Sequence, residues 1–167
     1  MKTDHTLERS SNAVALLAWG TWFGGLVALG AISAPLVFRN VPAPYSADAM
    51  TLVFRRFDLF AMACAAIVVG RELASVLMRP RIQRIDAARM GAALIAGALA
   101  VVEGVCIAPE IAELHHAGAV RNVGELGMRL EAYHARAESV SKVELFVLVA
   151  YVVLFVFSSS PRIVRDP

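Results

Sequence analysis

The feature that most constrains this chain is a series of four long apolar runs, which cover residues 13–38, 59–78, 90–109 and 143–160. About 20 apolar residues cross a hydrocarbon core about 30 Å thick, so each run has roughly the length that spans a bilayer as a helix. Backbone N–H and C=O groups find no water in lipid, and a helix pairs them internally. The sequence therefore predicts an all-α fold, a polytopic membrane protein whose single domain, residues 1–167, is a four-transmembrane-helix bundle.

The composition agrees with a membrane location and excludes other classes. Apolar residues make up 58% of the chain and charged residues 18%, whereas soluble domains average about 45–50% apolar and about 25% charged. Such a chain is too apolar to be disordered, and two Cys are too few for a disulfide-stapled module. The net charge of +2, with no basic stripe, does not suit nucleic acid. The expected partner is the lipid bilayer.

The distribution of Lys and Arg predicts the orientation of the spans. With four spans, both termini and the segment 71–89 share one side of the membrane, which carries nine Lys and Arg residues against seven on the other side. Five of the nine lie within 71–89, and basic residues in short loops influence orientation most. We therefore expect both termini to be cytoplasmic.

The ends of the first and third runs share a sequence pattern. Residues 30–35 (GAISAP) and 104–109 (GVCIAP) both read G-x-x-x-A-P, and they lie 74 residues apart. The pattern favours two repeated helical hairpins related by an axis along the membrane normal, with chance as the alternative, since Gly, Ala and Pro are common in membrane helices. Proline near the end of a span interrupts helical hydrogen bonding. Pro35 and Pro109 are therefore candidates to line a transport route.

A further helix is predicted before the fourth span, over residues 125–142. Its apolar residues recur at spacings of four, three, four and three, at Leu126, Leu130, Tyr133, Ala137 and Val140, which is typical of an amphipathic helix. Two placements remain open. The helix lies on the outer membrane interface, or it projects as a continuation of the fourth span.

Several short motifs resemble a known family. They are the segments 18–20 (AWG), 38–42 (FRNVP), 52–57 (LVFRRF), 109–111 (PEI) and 133–134 (YH). In order and spacing they are similar to the transmembrane protein 205-like family, whose bacterial members carry domain of unknown function 4149. The resemblance covers about residues 13–157 and implies a four-helix fold in the bacterial inner membrane, without an established activity. Ala137 and Ser141 stand where the family tends to have Ser and Asn.

Two ionisable residues within the apolar runs are candidates for a relay across the membrane. Glu103 is the only charged residue in 90–109, and an ionisable group inside a span usually faces a protein interior, a cavity or a partner. It is a proton or cation relay site, or else a core residue hydrogen-bonded to Ser33 or Trp19. Arg71 is expected one to two turns inside the cytoplasmic face, where its side chain can reach the interface.

Carboxylates and imidazoles gather near the predicted outer ends of the third and fourth spans. The candidate metal ligands are Glu110, Glu113, His116 and His134, with His115 nearby. Imidazole and carboxylate groups can bind a divalent metal, and exposed polar residues at a helix exit are the alternative. No His lies inside a predicted span, which disfavours haem. The identity of any cofactor stays open.

Two other groups of residues are given structural roles. Arg39, Arg55, Arg56, Asp48 and Asp58 are expected to form a solvated rim on the outer side. Cys64 and Cys106 lie near the outer ends of their spans, where they are packing residues or, less favourably, a disulfide.

Three hypotheses about function follow. The first is a small-solute or metal-ion permeation or resistance protein that uses Glu103, Arg71 and the two proline-ended spans. The second is an accessory subunit, acting in a larger membrane complex or a homo-oligomer through small-residue helix faces. The third is a metal- or haem-dependent redox enzyme using His134, and it is the least favoured because no catalytic sequence motif is present.

Overall fold

A computed structural model describes the chain over residues 2–78 and 82–159. In these ranges the chain forms α-helices and two π-helical turns joined by short connections, and no β-strand is found there. The elements in chain order are α1 (Lys2–Val27), π1 (Ala28–Ser33), α2 (Ala34–Asn40), α3 (Tyr45–Met78), α4 (Arg84–Val101), π2 (Val102–Ile107), α5 (Ala108–His116) and α6 (Gly124–Ser159). The predicted all-α fold class is confirmed.

Three helical stretches in the described ranges are long and apolar enough to cross a membrane, namely Thr6–Asn40, Arg84–His116 and Gly124–Ser158. They contain 35, 33 and 35 residues. A helix of that length extends about 50 Å, which exceeds a hydrocarbon core of about 30 Å. The chain is therefore a membrane protein. The first two stretches continue through π1 and π2 without leaving helical geometry.

Two helices are longer than the apolar runs that predicted them. α6 is continuous from Gly124 to Ser159, so the stretch 125–142 is a continuation of the fourth predicted span and not a separate interfacial helix. α3 likewise begins at Tyr45, well before residue 59. Both helices therefore bring polar residues outside the predicted runs into the packed region.

The long helices pack side by side, with α1 against α3, α3 against α4, α4 against α6 and α1 against α6. Short connections make consecutive helices antiparallel. One end of the molecule contains the start of α1 and the end of α6, and we call it the terminal end. The other end contains the connections over residues 41–44 and 117–123, and we call it the loop end.

The core between these helices is rich in alanine. Its buried members are Ala18, Trp22, Ala61, Cys64, Ala65, Val68, Ala93, Ala96, Ala100, Leu148, Tyr151 and Phe155. Small side chains let helix backbones approach closely where lipid provides no hydrophobic driving force. Cys64 is buried in this core and Cys106 is exposed, and both are free thiols. The packing role predicted for Cys64 is confirmed, and the disulfide does not form.

The two G-x-x-x-A-P sequences form the same local structure. In each, a six-residue π turn ends just before the Ala-Pro pair. The N–H of Ala34 donates to the carbonyl of Leu29, and the N–H of Ala108 donates to that of Glu103, so both bonds reach back five residues instead of four. Proline has no N–H, and its ring clashes with the carbonyl four residues earlier. The wider turn accommodates both effects within one continuous helix.

Candidate functional site

One face of α6 organises the polar residues in the interior of the protein. Ser141, Glu144, Leu148, Tyr151, Phe155 and Ser158 follow one another at spacings of three and four residues. This spacing places them on a single helix face, and each contacts another helix through a hydrogen bond or a ring contact. The polar members of this face belong to two separate layers.

The first layer contains three carboxyl groups, and we call it the acid layer. Its members are Asp58 of α3, Glu103 of π2 and Glu144 of α6. Ser141 Oγ lies 2.8 and 3.0 Å from the two carboxylate oxygens of Glu103 and donates to them. Trp22 Nε1 of α1 donates to Glu144 Oε1 over 2.7 Å. The acid layer and its two donors therefore come from α1, α3, π2 and α6.

The acid layer has no basic partner within the described residues. The ion pairs found there join other side chains, while Asp58 and Glu144 are 9% and 1% exposed. Glu103 interacts electrostatically with Asp58, and Glu144 with both. Carboxyl groups that lie close together without a basic partner attract positive charge. The layer therefore suits a cation or a bound proton.

The second layer is a set of buried ion pairs, and we call it the ion-pair layer. Glu72 is fully buried and accepts from Arg71 Nη1 and Arg89 Nε, each over 2.8 Å. Tyr151 donates its hydroxyl proton to Glu72 Oε1 over 2.9 Å. Asp86 Oδ1 lies 3.7 Å from Arg89 Nη2, so two cations face two anions. The buried carboxylate of Glu72 therefore has hydrogen-bond donors at both of its oxygens.

The ion-pair layer also connects the helices to one another. Arg71 donates to the side-chain oxygen of Asn12 in α1 over 2.9 Å, and Arg89 donates to Ser158 in α6. The ring of Phe155 lies 5.3 Å from the Arg71 guanidinium carbon and 5.5 Å from that of Arg89, a distance at which cation–π attraction operates. This layer lies nearer the terminal end than the acid layer does.

Apolar side chains separate the two layers. From Glu144 to Tyr151, α6 advances seven residues, or about 10 Å along the helix axis. Leu148 lies between them and is 1% exposed, and Trp22 is fully buried. Trp19 Nε1 donates to the carbonyl of Leu148 over 2.9 Å. Buried apolar side chains therefore separate the ionisable groups of the acid layer from those of the ion-pair layer.

Two predictions are wrong. Glu103 is bonded to Ser141 and not to Ser33 or Trp19. Arg71 is 9% exposed and pairs with Glu72 inside the protein. Asp58 is buried and is no part of a solvated rim, because α3 extends past the predicted start of its span.

The two prolines of the G-x-x-x-A-P motifs do not face the interior of the protein. Pro35 and Pro109 are both exposed, whereas Gly104 of the same motif faces Asp58. A Cβ atom added at Gly104 would lie 3.2 Å from Asp58 Cβ and 3.2 Å from Met62 Cε. The close approach of π2 to α3 therefore depends on the absence of a side chain at this position.

We expect the substitution Gly104→Ala to destabilise the protein by about 1 kcal/mol, the lower end of overpacking costs. Met62 Cε can move aside, but Asp58 Cβ is fixed by the α3 backbone. The measurement is the thermal unfolding midpoint in detergent. Gly91→Ala is the matched control on α4, since nothing lies within 4 Å of an added Cβ there. Equal midpoints for the two variants would contradict the close approach.

The predicted metal ligands are not assembled into a site. His134 faces His115, with ring centroids 5.9 Å apart. On α5, Glu110 is half-buried, while Glu113 and His116 are exposed. Among the residues that the structure describes, no three His, Cys, Asp or Glu side chains are close enough to hold a metal ion. This result also covers the three carboxyl groups of the acid layer, which are neighbours but do not form a metal-ligand shell.

Four residues of the site are not predicted from the sequence, namely Asp58, Glu144, Ser141 and Trp22. A signal was present for two of them, because Ser141 and Glu144 share the spacing of three and four with Leu148 and Tyr151. No such spacing identifies Asp58 or Trp22, because their roles depend on which helix faces pack together.

The fold and the two layers define an all-α integral membrane protein that holds ionisable groups between its helices. A family model described as a domain of unknown function (DUF4149) matches residues 17–120, which is more than half of the chain, and the protein belongs to that family. The matched range includes Trp22, Asp58 and Glu103 and ends before α6. Comparisons with curated proteins and with solved structures give no match.

Proposed function

We propose that this protein is a small-solute permeation or resistance protein of the bacterial inner membrane and that the acid layer binds the cation that drives transport. The observation that carries the proposal is the set of three neighbouring carboxyl groups, Asp58, Glu103 and Glu144. Asp58 and Glu144 are buried and Glu103 is half-buried, and none of them forms an ion pair within the described residues. Buried ionisable groups inside membrane proteins commonly mark ion pathways and proton relays.

A proton is the cation that this geometry supports best. The three carboxyl groups do not form a metal-ligand shell within the described residues, and a hydrated ion would need space between the helices. A proton needs no such space. Its binding to one carboxyl group removes a negative charge from the layer and relieves the repulsion among the other groups.

The proposed topology is a four-helix bundle with four spans, in which α3 is the second span. Its 34 residues extend about 50 Å, and its buried Arg71 and Glu72 are paired. The equivalent π turns, 74 residues apart, support two repeated hairpins. With both termini cytoplasmic, the ion-pair layer lies in the inner half of the membrane and the acid layer farther out.

In the proposed mechanism, protonation of the acid layer controls how closely the helices pack. When the carboxyl groups are ionised, their repulsion favours separation of α3, π2 and α6, and when one is protonated it favours the closed arrangement. The ion-pair layer stays fixed because Glu72 has three donors. Opening at the acid layer would hydrate the region around Leu148 and give the solute and the proton a shared route.

Proton entry into liposomes tests this function. Purified protein is reconstituted around a pH-sensitive dye, and a K⁺ diffusion potential is imposed. We expect faster proton entry than in protein-free liposomes, and the variant Asp58→Asn/Glu103→Gln/Glu144→Gln should return the rate to that of protein-free liposomes. The control variant is Glu113→Gln/Glu125→Gln, which removes two exposed acids and should keep the wild-type rate.

Two outcomes would overturn the proposal. A wild-type rate no higher than in protein-free liposomes would mean that the protein does not conduct protons. A rate for the triple variant equal to the wild-type rate would mean that protons cross by a route that does not include the acid layer.

A further inference from the structure

We propose that Leu148 is a hydrophobic gate between the acid layer and the ion-pair layer, and that it excludes water while the helices are packed as in this structure. This inference rests on the proposed function only in taking the space between the helices as the route of transport. It assigns the barrier on that route to a single side chain.

The stretch between the two layers is apolar along three helices. The segments 59–70 of α3, 90–102 of α4 and 145–150 of α6 contain no charged, amide or hydroxyl side chain. On α1, the hydroxyl of Thr21 donates to carbonyl oxygens of its own helix. A buried water molecule is normally held by about three hydrogen bonds to polar groups, and this stretch offers few of them.

Leu148 is the large aliphatic side chain near the middle of this stretch. It lies four residues after Glu144 and three before Tyr151, or about 6 Å and about 4.5 Å from them along the helix axis. The buried core residues that the other helices contribute are mostly small, namely Ala18, Ala61, Cys64, Ala65, Ala93, Ala96 and Ala100. Such short side chains cannot fill the volume of a leucine, so closure at this level depends on Leu148.

Two indole groups of α1 hold this part of α6 in place. Trp19 Nε1 donates to the carbonyl oxygen of Leu148 over 2.9 Å, and Trp22 Nε1 donates to Glu144 one turn earlier. The ring of Trp19 is stacked on that of Phe23, with centroids 5.4 Å apart, which restricts its orientation. α1 is therefore attached to two successive turns of α6, one at the acid layer and one at the gate.

An apolar constriction of this kind blocks a route by excluding water and needs no charged group to do so. Apolar space inside a protein stays dry, whereas a site with hydrogen-bonding groups takes up water. Separation of α6 from α3 and π2, as in the proposed mechanism, would withdraw Leu148 from the small residues of α3 and α4. Water could then join the acid layer to the ion-pair layer.

Polar substitution of Leu148 tests the gate. Proton entry is measured in the liposome assay described above, with full-length variants that are monodisperse by size exclusion. We expect Leu148→Ser to raise the rate above that of the wild type by about tenfold, because a hydrogen-bonding group lowers the cost of hydrating a buried apolar site. Leu148→Met keeps the volume and the apolar character of the side chain and should keep the wild-type rate.

Leu148→Ala separates gating from packing. Ala and Ser leave nearly the same empty space, but only Ser offers a hydrogen bond to water, and an apolar cavity stays dry. The rate for Leu148→Ser should therefore exceed that for Leu148→Ala, whereas a role in packing alone would give equal rates. Val149→Ser is the matched control, because Val149 is on the exposed side of α6, and it should keep the wild-type rate.

Leu148→Asn is a second polar variant that leaves little empty space, and it decides the test where Leu148→Ser is not recovered as monodisperse protein. It should also raise the rate of proton entry. Polar variants that are no faster than the wild type would overturn the gate, as would equal rates for Leu148→Ser and Leu148→Ala.

Comparison with protein-free liposomes keeps the gate and the transport function distinct. A wild type no faster than protein-free liposomes, together with a faster Leu148→Ser variant, would support the gate and contradict the transport function. A wild type that conducts protons at a rate unchanged by polar substitution of Leu148 would support the transport function and contradict the gate.

Discussion

Replacing Glu72 by Gln is expected to remove most of the folded protein from a detergent extract. The change leaves Arg71 and Arg89 buried, with 7% and 1% of their side chains exposed, and without the anion that they share. Removing one partner of a buried ion pair costs about 3–5 kcal/mol, a large part of the roughly 5–15 kcal/mol that stabilises a whole domain. The measurement is the yield of monodisperse protein by size exclusion, followed by the unfolding midpoint.

Glu131→Gln is the matched control for this change. Glu131 also pairs with an arginine, Arg121, but the two side chains are 32% and 56% exposed. Water compensates for the lost partner at an exposed site, so the yield and midpoint of this variant should equal those of the wild type. Similar values for the Glu72 and Glu131 variants would show that the ion-pair layer does not stabilise the fold.

Replacing Trp22 by Ala is expected to have a comparably large effect. Trp22 is fully buried in the core, and truncation of a large buried aromatic side chain costs about 3–5 kcal/mol. Trp22→Phe keeps most of the ring volume and removes the N–H that donates to Glu144, so it should cost about 1–3 kcal/mol. Unfolding midpoints of the two variants distinguish the contribution of packing from that of the hydrogen bond.

A double-mutant cycle tests whether the Trp22 bond is the one seen in the structure. The effects of Trp22→Phe and Glu144→Leu on stability should not add, because each change removes one partner of the same bond. Trp19→Phe is the control, since Trp19 donates to the backbone of Leu148 and its effect should add to that of Glu144→Leu. Additive effects in both pairs would mean that Trp22 stabilises the core by packing alone.

Hydropathy predicted the helical class and most of the helix positions, but it did not predict how the helices are offset along their axes. The sequence predicts that Asp58, which precedes the apolar run 59–78, is exposed to solvent. In the structure α3 begins at Tyr45, and Asp58 is buried. A run of apolar residues reports the preference of each residue for lipid. It does not report which residues of two helices lie at the same level, and that relation decides the membership of the acid layer.

The same limit applies to the contacts between helices. Glu103 could be identified from its position inside an apolar run, but its partner Ser141 is 38 residues away and the Trp22–Glu144 pair spans 122 residues. Local sequence does not specify these pairs because tertiary packing creates them. The G-x-x-x-A-P pattern is an intermediate case, since it predicted where the two helices would be irregular and not that the irregularity would be a π turn.

The ion-pair layer has a consequence for how the chain is assembled in the membrane. Arg71 and Glu72 are adjacent in α3, but Glu72 obtains its other donors from Arg89 and Tyr151, which are synthesised later. In the proposed four-span topology, an isolated α3 would expose incompletely paired charges to lipid, at a high cost in free energy. We expect α3, although second in the chain, to become stably inserted only after α4 and α6 have emerged from the ribosome, so that membrane integration of this protein is completed late and cooperatively.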